Sequence, residues 1–328
     1  MKRSFYFLLI FFSVLFSCSN EQKEDLNLKH LNYIADNINS DLIQIKNEIL
    51  NLSSNIQHKI PFDREINNWS SDRYYFKNGE FLSSKYENSN SAVYLPGQKE
   101  ISSQLKKIIV NSELLDTIFK SSIERNALLS QVYFLDTNSF LRIYPFIDVY
   151  GYLKGSIDLR EYASYQTANN KPFLDDDVYW VNSPFADPYG RGWIIACVEP
   201  LYYRERFIGI VSGDITLRSL KEKYFSSDTE LMLLTDAEGK LICCTKQAAK
   251  IIDIPVLREF QYFKPVTKDI FRFNNPSLTL HKNTDLRKAI KSLLTGENKE
   301  VFYVDNKKCT IYKSYIKETN WVLFKIIN

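Results

Sequence analysis

Leu31, Ile34, Ile38, Leu42, Ile45, Ile49, Leu52 and Ile56 follow one another at steps of three or four residues, and no Pro or Gly interrupts the run before Pro61. This spacing predicts one amphipathic helix from about Leu26 to Lys59, about 50 Å long at 1.5 Å per residue. The same stripe fits a heptad seam. Its partner is therefore either the chain's own domains or a second copy of the helix, and the pattern admits both.

Further along, Leu105, Ile108, Ile109, Leu115, Ile118, Phe119 and Ile123 form one apolar helical face between Ile101 and Arg125. Strand patterns follow at Ser130–Leu135 and Phe140–Tyr144, joined by the turn Asp136-Thr137-Asn138-Ser139. A loop-rich insertion, 146–185, precedes two apolar runs, Trp193–Val198 and Phe207–Val211, separated by the charged turn Tyr203-Arg204-Glu205-Arg206. Both faces of these two runs are apolar, which places the hairpin they form in a sheet covered on each side. A helix over Leu217–Phe225 then leads to a second, smaller unit. Its predicted order is a hairpin (230–234 and 240–244), a helix over 284–294, and strands near 300–304, 309–316 and 321–327. The fold class is α+β, with antiparallel sheets flanked by helices.

Composition changes the picture mainly at the start of the chain. The 328 residues, 45% hydrophobic and 14% aromatic, suffice for two cores. Met1-Lys2-Arg3, the apolar run Phe5–Phe16 and Leu15-Phe16-Ser17-Cys18 resemble a bacterial lipoprotein signal, with cleavage leaving Cys18 as the acylated first residue. Residues 18–25 then read as a polar tether. Loss of residues 1–17 removes Lys2 and Arg3 and no acid, taking the net charge from +3 to +1. A balanced surface without a basic stripe excludes a nucleic-acid footprint. Cys197, Cys243, Cys244 and Cys309 form no C-x-x-C pair, and His30, His58 and His281 lie far apart, so neither a metal site nor a cofactor is expected. A disulfide of Cys243 or Cys244 with Cys309 stays open in an oxidising compartment. The run Asp175-Asp176-Asp177 lacks the alternating spacing of a calcium loop and reads as a solvated face or a helix start.

Candidate chemistry concentrates around the apolar hairpin. Asp187 precedes its first strand and Asp214 ends its second, and a carboxylate at the rim of an apolar sheet needs water, hydrogen bonds or a cation. The plain structural alternatives are an Asx turn at Asp187 and a cap by Asp214 on the helix near Leu217. Tyr162, Tyr165 and Trp180 in the insertion either fill a core or line a cage for a cation.

The order of parts resembles a double Cache extracytoplasmic sensor, a long helix followed by a membrane-distal PAS-like module (61–222) and a membrane-proximal one (223–328). The likeness is densest between Tyr144 and Leu217, in W-V-N-S-P-F-A-D, G-R-G-W, E-P-L-Y and F-I-G-I-V-S-G-D-I-T-L. In amino-acid-binding members an Arg and a Trp before a Tyr hold the ligand carboxylate, and acids in later strands hold the ammonium. Carried over, Tyr165 matches that Tyr, Asp187 and Asp214 match the acids, and Phe185 replaces a usual Tyr. The Arg and Trp positions fall on Tyr162 and Ser164, with Arg160, two residues upstream, as the substitute if the loop shifts.

What these readings imply is a non-enzymatic, lipid-anchored protein of the cell envelope that binds an amine or amino-acid-like cation in its distal module. Ser19 after Cys18 points to the outer membrane by resemblance to lipoprotein sorting rules. No spanning segment follows Trp321, so the expectation is a protein that presents or sequesters its ligand, or works through a separate membrane signalling protein. The alternatives are a scaffolding or interaction lipoprotein with a vestigial pocket, in which the long helix is the working part, and, more remotely, a carboxylate-pair hydrolase; a homodimer through the long helix is compatible with each.

Overall fold

The computed structural model describes residues 2–59, 73–83, 91–97, 100–153, 158–169, 178–181, 183–254 and 276–328, with side chains of the first helix described over 26–58. Trp69 and the run Asp175-Asp176-Asp177 lie outside the described residues, and so does the side chain of Cys18. The chain divides into two compact units, one built on Asp41–Lys223 and the other on Met1–Ser40 together with Tyr224–Val256 and Asn275–Asn328.

Helix α1 (Lys2–Lys59) runs unbroken through the segment read as a tether, since nothing in it breaks a helix. Leu31, Ala35, Ile38, Leu42, Ile45, Ile49, Leu52 and Ile56 are all fully buried in the chain itself. The stripe is therefore packed within the chain itself and is not the face for a second copy, while Leu26, Tyr33 and Ile43 of the helix are exposed. Among the described residues no helix is long and apolar enough to cross a membrane.

The first unit is organised on an antiparallel sheet of strands β1 (Tyr74–Lys77), β2 (Glu80–Ser83), β3 (Ala92–Leu95), β4 (Leu129–Asp136), β5 (Leu141–Tyr144), β6 (Tyr179–Trp180), β7 (Phe185–Ala186), β8 (Trp193–Tyr203) and β9 (Arg206–Thr216). Their order is β1-β2-β3-β5-β4-β9-β8-β6, with β7 also on β8. The helical face predicted over 101–125 breaks into α2 (Ser103–Asn111) and α3 (Leu115–Arg125) around a 3-10 turn at Ser112–Leu114. Ser102 caps α2 by accepting from Leu105 N at 3.2 Å. The buried guanidinium of Arg142 on β5 ties this layer to the sheet: it donates to Asp116, Ser112 Oγ, Tyr74 Oη and the Ile109 carbonyl.

One sheet face carries Val132, Gly213 and Cys197, and the other carries Gln131, Tyr133, Ser212, Asp214, Ala196 and Val198, as the β4–β9 and β8–β9 registers dictate. On the first face α1 comes close: a Cβ on Gly213 would stand 2.6 Å from Ile49 Cδ1 and 2.9 Å from Leu129 Cδ2. The second face is covered by the insertion. Its elements α4 (Val149–Tyr152), a 3-10 turn at Leu159–Glu161 and α5 (Ala163–Asn169) contribute Val149, Leu159, Tyr162, Tyr165 and Ala168 to one apolar core with Tyr133, Ala196 and Ile210.

Helix α6 (Leu217–Tyr224) closes this unit. The second unit is a five-stranded sheet in the order β11-β10-β14-β13-β12, from β10 (Leu231–Thr235), β11 (Leu241–Cys244), β12 (Lys299–Val304), β13 (Lys307–Ile316) and β14 (Trp321–Ile327). Helix α8 (Thr284–Thr295) and a short α7 (Lys246–Ile251), the latter absent from the sequence reading, pack Ala248, Leu286, Ile290 and Leu293 on one face. Cys197, Cys243, Cys244 and Cys309 are buried, and the structure forms no disulfide between them.

The β4–β5 hairpin of the first unit and the β10–β11 hairpin of the second turn in the same way. Asp136 Oδ1 accepts from the backbone N–H of Asn138 and Phe140, each at 2.8 Å, and Asp236 Oδ1 from those of Glu238 at 3.0 Å and Lys240 at 2.8 Å. A short Asx-stabilised turn, read off two Asp residues one hundred positions apart, is thus the shared local signature of the modules.

The approach of α1 to β9 yields a prediction. Gly213→Val overfills the space between Ile49 and Leu129, so the urea midpoint should fall by the equivalent of about 1 to 3 kcal/mol with the slope unchanged. An unchanged midpoint contradicts the close packing of helix on sheet.

Candidate ligand site

Asp187 lies in the loop Asp187-Pro188-Tyr189-Gly190-Arg191-Gly192, between β7 and β8, and the loop is folded around its carboxylate. Oδ1 accepts from Tyr189 N at 3.2 Å and Oδ2 from Arg191 N at 2.9 Å, while Gly190 N–H closes the turn onto the Asp187 carbonyl at 3.1 Å. The Asx-turn alternative is thus real for Asp187. Gly190 is required at the corner, with φ of +87° and a would-be Cβ 2.1 Å from the Tyr152 ring.

Asp214 has no such structural task. The N-terminus of α6 is held by Thr216, whose Oγ1 accepts from Ser219 N at 3.1 Å, so the capping role expected of Asp214 belongs to Thr216. Asp214 instead points onto the insertion-covered face of the sheet. There it accepts from Gln131 Nε2 at 2.5 Å and from Ser212 Oγ at 3.2 Å, and that hydroxyl also faces the Cys197 carbonyl at 3.2 Å. Gln131 Nε2 donates its second hydrogen to Asp187 Oδ1 at 3.2 Å. A single amide therefore bridges two carboxylates that are 0% and 1% exposed.

Tyr133, Tyr162 and Tyr189 stand around the pair, all buried and all within its electrostatic field. Burial pushes the hydroxyls of Tyr133 and Tyr189 far above the ordinary phenol range, helped by Asp214 at Tyr133 and by Tyr133 and Tyr162 ahead of the acids at Tyr189, so they remain neutral. Tyr133 Oη donates to Ser164 Oγ at 2.8 Å. Arg191 is the cation of the site. Its Nη1 and Nη2 donate to the carbonyls of Ser130 and Pro145, at 2.9 and 3.2 Å, and burial lowers its affinity for a proton, which the two acids only partly offset. Among the described residues no ion pair within 4.0 Å reaches either acid.

Burial raises both carboxyls. Asp214 is pushed up to about 8, first by desolvation and further by Asp187, against the hydrogen bond from Gln131. Asp187 is raised in the same direction by burial and held back by the N–H groups of its own loop and by Arg191. Hydrogen bonds to a charged group contribute about 1.5 to 3 kcal/mol each, and Asp187 has three while Asp214 has one short and one shared. Asp214 is the under-satisfied member.

The other predicted site residues are distributed unevenly. Tyr162 lies within the field of Asp187 and shares the covered core with Phe185 and Tyr165, the latter edge-on to Phe207 at 5.7 Å. Arg160 is not at the acids: its guanidinium is forked on Asp158, at 2.8 and 2.7 Å, and bonds the Thr137 carbonyl at 3.0 Å. Trp180 pairs with Cys197 and so points to the opposite face, whereas Tyr179, paired with Val198, shares the face of Asp214. Gln131, Tyr133, Tyr189, Arg191 and Ser212 were not singled out in the sequence. A lone amide inside the apolar strand S-Q-V-Y-F-L was the available signal for Gln131. Cavities of about 230 and 310 Å³ lie elsewhere, beside Lys77 and Phe146 and beside Asp136 and Phe207.

This architecture is that of solved chemoreceptor sensory domains. The chain is similar to the ligand-binding domain of the Pseudomonas fluorescens chemoreceptor CtaA in complex with L-isoleucine, with 16% identity and a TM-score of 0.53 over 95% of this chain and 96% of that one. It is likewise similar to the sensory domain of the Campylobacter jejuni chemoreceptor Tlp3 with isoleucine bound, with 12% identity and a TM-score of 0.53 over 93% of each chain. For the Tlp3 domain in complex with L-norvaline the values are 12% and 0.52, over 92% of this chain and 90% of that one. No family model and no curated protein matches the sequence. At these identities the likeness defines the fold: a long helix with two PAS-like modules, the double Cache arrangement.

The raised carboxyl of Asp214 sets a pH dependence. The empty folded site favours the neutral acid, so this contribution to stability is complete below about pH 4, the unfolded value, and is lost as pH rises through about 8. Chemical denaturation of the unliganded chain between pH 6 and 9 should show wild type losing stability that Asp214→Asn retains. Parallel pH profiles for the two proteins contradict the assignment.

Proposed function

We propose that the chain is an extracytoplasmic binding protein of the sensor type, lipid-anchored to the cell envelope through Cys18, whose ligand is an amine or amino-acid-like cation held by Asp187 and Asp214. The observation that carries this reading is the pair of fully buried carboxylates on one bridging amide, with no ion-pair partner among the described residues. Burying an ionised carboxylate costs several kcal/mol unless it is paired. An ammonium group supplies the missing charge and up to three donors, and charge-assisted hydrogen bonds out of water are the strong kind. The shared fold with domains solved with isoleucine and norvaline supports a ligand of this class. The ligand displaces the proton that Asp214 holds in the empty site, so affinity for a cation rises with pH up to about 8.

The scaffolding alternative, with a vestigial pocket, makes the heptad-like stripe of the long helix the working part. That stripe is buried within the chain, which favours the binding reading. Signalling onward, through a separate membrane protein, is the role this reading assigns to the occupied state.

A thermal-shift screen of amines and amino acids, followed by calorimetry with the strongest hit, tests the placement. Asp214→Ala should weaken binding by about 30-fold to several thousand-fold, the equivalent of about 2 to 5 kcal/mol, and Asp187→Ala at least as much because its loop loosens too. Wild-type affinity in both variants refutes it.

A further inference from the structure

The first part of α1, up to Ser40, belongs to the same compact unit as β10–β14, and there α1 and β14 run in opposite directions with matched spacing. Lys325 Nζ meets His30 Nδ1 at 3.0 Å, and the Glu318 N–H donates to Asn39 Oδ1 at 2.9 Å. His30 to Asn39 spans about 14 Å of helix at about 1.5 Å per residue, and Trp321 to Lys325 spans about 13 Å of strand at about 3.3 Å per residue. Following β14 towards its end is therefore following α1 back towards its start. The ladder continues that way, since Ile327 pairs with Thr310 and Lys307 lies three residues nearer the β12–β13 turn. From the level of Lys325 the turn is about 16 Å further on, and the same distance along α1 from His30 ends at Ser19. The turn is thus level with Cys18.

That end of the unit is where the chain meets lipid on the anchored reading, through Cys18 and the apolar run Phe5–Phe16 before it. The hairpin there carries side chains that suit a headgroup layer. Tyr303 is 49% exposed and directly opposite Lys308, Val301 is 38% exposed, and Lys307 and Lys308 are both exposed. A tyrosine has an apolar body and a polar tip, and lysines beside it contribute about 1 kcal/mol each at an anionic surface. Asp305 in the turn offsets part of that charge. The hairpin end is also pinned: the Asn283 amide at the start of α8 donates to the Tyr303 carbonyl at 2.8 Å. An exposed aromatic on an edge strand is otherwise an aggregation liability. Its position beside the anchor gives it an occupant.

Resting on the lipid-anchored reading of Cys18, we propose that the β12–β13 hairpin is a second, non-covalent membrane contact, with Tyr303 and Val301 in the interface and Lys307 and Lys308 on anionic lipid headgroups. The contact is weak alone. It is populated because the anchor holds the hairpin at the surface, where its effective concentration is high. The unit then stands on the bilayer at two points instead of swinging about one.

The test uses the full-length chain, expressed with its leader and placed in detergent micelles, in vesicles of phosphatidylcholine with phosphatidylglycerol, or in vesicles of phosphatidylcholine alone. Acetylation by an amine-reactive ester, read by mass spectrometry, follows each lysine separately. In the anionic vesicles Lys307 and Lys308 should react about fivefold more slowly than in micelles, the equivalent of about 1 kcal/mol of net attraction. Lys317, exposed at the other end of β13, should keep its rate. In phosphatidylcholine alone the protection should shrink, and Tyr303→Asp with Lys308→Glu should return Lys307 to its micelle rate. Unprotected lysines in a chain that sediments with the vesicles overturn the hairpin contact and leave the anchoring standing. A chain without an acyl group on Cys18 overturns the anchoring and this contact with it. Slow reaction in micelles as well, relative to Lys317, assigns the face to a protein and overturns the membrane contact. Protection that survives the double substitution reduces it to mere nearness to lipid and overturns it too.

Discussion

Two carboxylates with almost no access to water share a single amide, and much of the first module is arranged to make that tolerable. The Asp187 loop spends two main-chain N–H groups on one acid. A register shift between Leu129 and Gln131 sets Gln131 opposite Asp214 on the neighbouring strand. Behind them, a residue without a side chain lets the long helix close against the sheet, so the strand bearing Asp214 is backed by Ile49 rather than by solvent. Tyrosines shut the front. What remains is a buried acid pair in which Asp214 retains a proton, because desolvation outweighs the donors available.

The two modules differ in what fills the covered face of the sheet. They share a hairpin turn built on an aspartate and a helix-covered antiparallel sheet. In the second module the covered face is filled by Leu231, Leu233, Leu286, Ile290 and Leu293, a packed apolar core. In the first, the equivalent layer replaces part of that core with Gln131, Ser212, Asp187 and Asp214. Polar groups buried at this cost mark a candidate recognition site.

The elements of both modules were largely legible because their periods are unambiguous, and the helix stripe was legible in position though not in partner. Other features depended on information a single chain does not display. The strands β8 and β9 extend beyond their apolar runs because Glu199 and Pro200 remain in the ladder. Among the described residues β6 pairs with β8 only at Cys197 and Val198, so beyond that point the missing N–H of Pro200 has no ladder partner to lose. Trp180 was misplaced because face parity in a two-residue strand is set by its pairing, not by its neighbours. Arg160 was drawn off by an acid two positions away, a contact invisible to any reading that looks only for distant partners. Asp187 and Asp214 could be found because acids stand out in apolar strands, whereas Gln131 and Arg191 acquire meaning only once the register and the loop bring them alongside.

Carbon-13 NMR of protein labelled at aspartate carboxyls measures the central claim directly, since the shift of the Asp214 carboxyl reports its protonation. In the unliganded chain it should titrate near pH 8, and a saturating α-amino acid or amine should hold it ionised across the neutral range. A carboxyl that titrates near 4 in the empty protein, or that keeps its proton whatever ammonium compound is added, would contradict the account.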